Sequence, residues 1–209
     1  MTDSDAIPSI IEERREAWLA ELFDFLRIPS ISTDAEHVDD VRAAADWLAA
    51  QLTSAGCTET AIWETAGHPV VYGAWRGAPD APTVLVYGHY DVQPEDPVEL
   101  WSSPPFEPEV RDGKLFARGS VDDKGQLYVH AKALEAWIRA TGSCPVNVVF
   151  LIEGEEEAGS PNAAAAVQEH RDDLRCHSVV VSDTTMLADR TTTPLNSTHV
   201  VTSYAPLSL

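Results

Sequence analysis

Apolar positions recur at helical intervals early in the chain. Ile10, Ile11, Trp18, Leu22, Phe25 and Leu26 fall near steps of three and four and predict a helix over residues 8–27, stopped by Pro29. Val38, Val41, Ala45, Leu48 and Leu52 repeat the pattern, with Gly56 where a C-terminal cap belongs. The periodicity then changes. Pro69–Trp75 and Thr83–Gly88 read as extended, the second as an unbroken apolar run suited to a strand covered on both faces. Residues 92–112, with Pro94, Pro97, Pro104, Pro105 and Pro108 among acids, predict a loop. Helical spacing returns over 125–140 (Leu127, Ala131, Leu134, Ile138) and 161–175 (Ala163, Val167, Leu174). Between and after these helices lie the buried strands Val146–Ile152 and Ser178–Ser182. Such alternation predicts an α/β domain of three layers.

The tail breaks the pattern. All 14 basic and 34 acidic residues of the 209-residue chain lie in positions 1–190. Residues 191–209 are a charge-free, Thr/Ser-rich segment with Pro194 and Pro206, expected to stand apart from the domain at 1–190. A net charge of −20 disfavours nucleic acid and anionic membrane surfaces, both of which select clustered basic residues. No apolar stretch approaches the length of a membrane span. Cys57, Cys144 and Cys176 are isolated and odd in number, and the acidic N-terminus carries no apolar leader. Reduced thiols and a cytoplasmic location are expected.

The candidate chemistry lies at strand ends. His89 and Asp91 follow Thr83–Gly88, the acid run Glu153-Gly-Glu-Glu-Glu157 follows Val146–Ile152, and Asp183 follows Ser178–Ser182. Asp122 sits in a turn-like stretch just before a helix. Each has a plain reading taken singly: a solvated acidic loop at Glu155–Glu157, or a turn and helix cap at Asp122 and Asp183. Their shared placement argues otherwise, because ligands of open α/β sheets collect beyond the carboxyl ends of strands. One imidazole with several carboxylates suits Zn²⁺, Mn²⁺ or Co²⁺. A bridging carboxylate can hold two cations together, and one of two adjacent glutamates can ligate while its neighbour moves a proton. Asp91 could receive the second ring N–H of His89. His37, His68, His130, His170, His177 and His199 lack such neighbours and read as surface or core residues.

Four segments resemble, in order and spacing, the motifs of the M20 metallopeptidases. They are Tyr87-Gly-His-Tyr-Asp-Val-Gln-Pro94, Ala117-Arg-Gly-Ser-Val-Asp-Asp-Lys-Gly125, Glu153-Gly-Glu-Glu-Glu-Ala-Gly-Ser160 and Val181-Ser-Asp183. The Gln93–Pro108 loop is most similar to the carnosinase-like and cytosolic non-specific dipeptidase branch. The resemblance implies the three-layer αβα catalytic domain of a di-metal exopeptidase, ending before the family's lid and dimerisation domain. It implies His89 and Asp183 on one metal, Glu157 on the other, and Asp122 bridging them through a cis peptide to Asp123. Asp91 would orient His89, and Glu156 would be the general base. Two divalent ions are implied, zinc first, with manganese or cobalt as alternatives, and the substrate would be a short peptide. The resemblance implies that full-length members can form homodimers, and the 209 residues are expected to end before the dimerisation domain. The family's last metal-binding histidine comes from a returning segment, and His199 has a setting that matches neither that segment nor the lid. The alternatives are an inactive metal-binding fragment and an N-acyl-amino-acid deacylase of the same family.

Overall fold

A computed structural model describes residues 6–183; the tail at 191–209, and His199 with it, lies outside them. Helices α1 (Ile7–Arg27) and α2 (Val38–Ser54) come first, followed by strands β1 (Glu59–Trp63), β2 (Val70–Trp75) and β3 (Thr83–His89). A small hairpin of β4 (Glu109–Arg111) and β5 (Lys114–Phe116) precedes α3 (Lys124–Thr141). Strand β6 (Asn147–Glu153), α4 (Ala163–Glu169) and β7 (Ser178–Val181) complete the order.

The most apolar segment makes the central strand, since β6 is buried from Val148 onward. The sheet runs β1-β2-β6-β3-β7. Strands β6, β3 and β7 are parallel, while β2 is antiparallel to both β6 and β1. Alternate residues point to opposite faces and make two cores. On one face Val71, Val86, Phe150 and Ile152 pack against Phe25 of α1, Val41, Leu48 and Leu52 of α2, and Leu127 and Leu134 of α3. On the other, Val70, Tyr72, Leu85, Val149 and Leu151 meet Ala166 of α4 and Leu174. Each fully buried Leu, such as Leu48 or Leu52, contributes about 1.5–3 kcal/mol. The three-layer expectation is met.

Three elements depart from expectation. Strand β1 was not anticipated, because Glu59-Thr-Ala-Ile-Trp63 is a polar-flanked edge strand with no fully buried residue. The stretch 92–112 is not all loop: its last residues form β4, which turns back through Asp112 and Gly113 at φ 51° and 77°. That pair of left-handed residues suits a tight hairpin. Helix α4 is shorter than the predicted 161–175. His170 leaves the helix at φ −105°, ψ 20°, and its ring stacks on Trp63 at 3.7 Å between centroids.

Candidate metal centre

Sheet order gathers the chemistry. Strand β3 lies between β6 and β7, and the parallel register sets His89 beside Glu153 and Tyr87 beside Val181. Three neighbouring strand ends therefore deliver His89, the acid turn after Glu153, and Asp183. Asp122 comes from the turn that leads into α3, immediately before Asp123 at its N-cap.

His89 is fully buried, and its Nε2 lies 3.0 Å from Asp122 Oδ1, 3.9 Å from Asp183 Oδ2 and 4.0 Å from Glu156 Oε2. Two sets, His89 with Asp122 and Asp183, and His89 with Glu156 and Glu157, each have ligand atoms within 4.8 Å of one another. The Asp122–Asp123 peptide is cis, as the resemblance implies. On the far side of the ring, Nδ1 is 3.0 Å from the Asp91 backbone oxygen and 3.3 Å from its carboxylate. The Asp91 side chain has further work: it accepts the backbone N–H groups of Glu156 at 3.2 Å and Glu157 at 3.0 Å.

The acid run divides by partner. Glu153 and Glu155 are buried and engaged by other partners, the first accepting from the Tyr87 and Ser160 hydroxyls and the second from Asn162. Glu156 and Glu157 remain for the site, with Gln93 Nε2 donating to Glu157 Oε2 at 2.8 Å. A plain solvated loop does not describe such a segment. Sequence reading missed Ser32, whose hydroxyl donates to Asp91 Oδ2 at 2.6 Å, and Gln93. The Gln93 contact joins residues 64 apart and left no local signal.

Two further groups support the turn at Asp122. Asp123 Oδ2 accepts from His89 N at 3.2 Å, and a Cβ on Gly88 would stand 2.4 Å from that oxygen, so any larger residue there would displace the carboxylate. Lys124 is fully buried, and its ammonium donates to the carbonyls of Phe25 at 3.1 Å and Ile28 at 2.6 Å, where α1 ends. Burial pulls that amine down to about 7, against the opposing pull of Asp91 and Asp40.

The electrostatics fit a cation. Burial pushes the Asp123 carboxyl up to about 7, opposed by His89 and reinforced by Asp183 and Asp122. Glu156 and Glu157 are also raised, first by burial, with neighbouring carboxylates adding to it. Burial lowers the His89 imidazole, but Asp91, Asp123 and Asp122 outweigh it and hold the ring up at about 10. Carboxylates crowded around a single imidazole repel one another, and a divalent ion relieves that repulsion directly. Hard oxygen donors with one nitrogen are the donor set zinc and manganese take. The residues fit divalent metal.

Known proteins point the same way. Residues 85–202 match peptidase family M20/M25/M40. The Cys-Gly metallodipeptidase dug1 of Schizosaccharomyces pombe is 29% identical over 198 residues, an alignment covering 89% of this chain and 42% of that protein. The human Beta-Ala-His dipeptidase is 36% identical over 124 residues, covering 58% of this chain and 24% of the relative. Among solved structures, the di-peptidase Dug1p from Saccharomyces cerevisiae superposes with a TM-score of 0.81 at 27% identity, covering 91% of this chain and 43% of that one. This chain therefore spans less than half the length of each of these relatives. With fold, motif order and family match in agreement, the chain belongs to peptidase family M20.

Proposed function

We propose that this chain is the N-terminal part, residues 1–190, of a metallodipeptidase catalytic domain that binds two divalent cations, zinc first among them, and hydrolyses the amide bond of dipeptides or short peptides. The observation that carries the reading is the convergence of Asp122, Asp183 and Glu156 on one buried imidazole nitrogen, at 3.0, 3.9 and 4.0 Å. His89 and Asp183 would hold one cation and Glu157 the other, with Asp122 between them. Cations held there would supply Lewis-acid polarisation of the scissile carbonyl and render a water acidic enough to ionise near neutral pH. The protein's own groups manage geometry and protons. Asp91 fixes the His89 ring from behind and holds the turn that presents Glu156 and Glu157. Glu156 accepts a proton from the attacking water as the new C–O bond forms, then delivers it to the amine nitrogen as the C–N bond breaks. Its raised carboxyl, at the edge of a buried site, suits that exchange. Three free cysteines, two of them buried, are consistent with a reducing compartment.

The test is hydrolysis by the 209-residue chain of Cys-Gly, β-Ala-His and an N-acyl amino acid, with added Zn²⁺, Mn²⁺ or Co²⁺. Glu156→Gln is expected to lower kcat by about 10²–10⁴-fold without a matching loss of metal. Turnover that survives this substitution would sink the assigned mechanism. Faster cleavage of the acyl amino acid would move the reading to a deacylase, and metal binding without turnover would leave a binding fragment.

A further inference from the structure

Asp91 is fully buried, and a carboxylate has about four lone-pair sites for hydrogen bonds. All four are used. Oδ1 accepts from Glu156 N at 3.2 Å and lies 3.3 Å from His89 Nδ1; Oδ2 accepts from Glu157 N at 3.0 Å and from the Ser32 hydroxyl at 2.6 Å. The Ser32 contact is the shortest of the set, and it comes from 59 residues away.

Ser32 is itself anchored. Its carbonyl accepts from His68 Nε2 at 3.1 Å. Beside it, Ser30 donates through its hydroxyl to the Tyr90 carbonyl at 2.7 Å and accepts from Val92 N at 2.9 Å, while Ile31 bridges to Val92 in parallel. Residues 30–32 thus run alongside residues 90–92. The Ser32 hydroxyl meets a side chain, whereas the Ser30 contacts are all to backbone.

We infer that Ser32 is a positioning residue: its hydroxyl fixes the rotation of the Asp91 carboxylate, so that one group holds both the His89 ring and the Glu156–Glu157 turn in mutual register. Without that donor, Oδ2 keeps only a backbone N–H partner, and the carboxylate is free to turn toward one duty at the expense of the other. The effect falls on the metal-binding groups rather than on the fold. The inference rests on the metal site proposed above, and its test separates the two.

The full chain, stripped of metal, is titrated with Co²⁺ and followed by visible absorption, with thermal melting of the metal-free protein measured in parallel. Ser32→Ala is expected to weaken Co²⁺ binding about tenfold, the low end for groups that support metal ligands, and to shift the absorption bands. Ser32→Thr, which keeps the hydroxyl, restores both. Ser30→Ala, which disturbs the same segment without touching Asp91, lowers the melting temperature and leaves Co²⁺ affinity unchanged. Wild-type affinity and spectrum in Ser32→Ala would overturn the inference, as would an equal loss of affinity in Ser30→Ala. His89→Ala reports on the underlying site: Co²⁺ binding that survives it overturns the metal-site reading itself, whereas its loss alongside an unaffected Ser32→Ala rejects only the role of Ser32.

Discussion

Gly88→Ala places one methyl group where the Asp123 carboxylate now stands. The new Cβ would lie 2.4 Å from Asp123 Oδ2, and the next atoms, Asp123 Cγ and Leu127 Cβ, are comfortable at 3.7 and 3.8 Å. Strain is therefore relieved by displacing one oxygen. That oxygen accepts from His89 N at 3.2 Å, and its partner Oδ1 is buried with no hydrogen bond. Displacement loses a bond worth about 1 kcal/mol and strands a buried polar group at about 1–3 kcal/mol more. We expect Gly88→Ala to cost about 2–4 kcal/mol, or roughly 5–15 °C in Tm for a chain of this size. The decisive measurement is a double-mutant cycle by urea denaturation of the metal-free protein. In an Asp123→Ala background the obstructing oxygen is gone, and Gly88→Ala should then cost less than about 1 kcal/mol, leaving a coupling of about 2 kcal/mol. Equal cost in both backgrounds would refute the reasoning and place the clash elsewhere.

Other expectations follow from single contacts. Burial raises the Cys57 thiol to about 12, above its ordinary 9.0, so the folded state holds the proton that the unfolded chain releases. That stabilisation is present below pH 9 and is lost as pH climbs toward 12; urea melts at pH 10.5 should show wild type losing about 2 kcal/mol more than Cys57→Ala, relative to pH 8. Parallel pH profiles would reject it. Lys132 is buried and donates to Glu135 at 2.9 Å and Gln51 at 3.0 Å while pairing with Glu21 at 2.6 Å. Lys132→Ala should cost about 2–4 kcal/mol in a denaturant titration, short of the full loss for a broken buried pair because Arg139 still reaches Glu135 at 2.7 Å. Adding Zn²⁺ at a hundred times its Kd should stabilise the EDTA-treated chain by about 2.7 kcal/mol in calorimetry, and a His89→Ala chain should gain nothing.

Much of the candidate site's placement could be read from the sequence because it sits where apolar runs stop. His89, Glu156, Glu157 and Asp183 each follow a strand that the alternation of apolar segments marks, and parallel pairing of β6, β3 and β7 brings those ends together. Strand β1 was hidden for the opposite reason: an edge strand buries too little to need a continuous apolar run. The β4–β5 hairpin did carry a local signal, Asp112-Gly113, outweighed by the surrounding prolines. Glu153 and Glu155 looked equivalent to their neighbours, and only the partners Tyr87, Ser160 and Asn162 separate them. Ser32 and Gln93 could not be found by any periodic pattern, since each acts across a gap closed only by the tertiary fold.

The buried Lys124 ties the candidate site to the end of α1. Its ammonium ends on the carbonyls of Phe25 and Ile28, two positions after Asp122 in one direction and almost a hundred residues away in the other. A version of the domain trimmed to begin after Ile28 would keep His89 and the acids around it, yet would remove both carbonyls that accept from the Lys124 amine beneath the Asp122 turn. Helix α1 is remote from the acids on the page of the sequence, but any engineered miniature or transplant of this site has to carry it along.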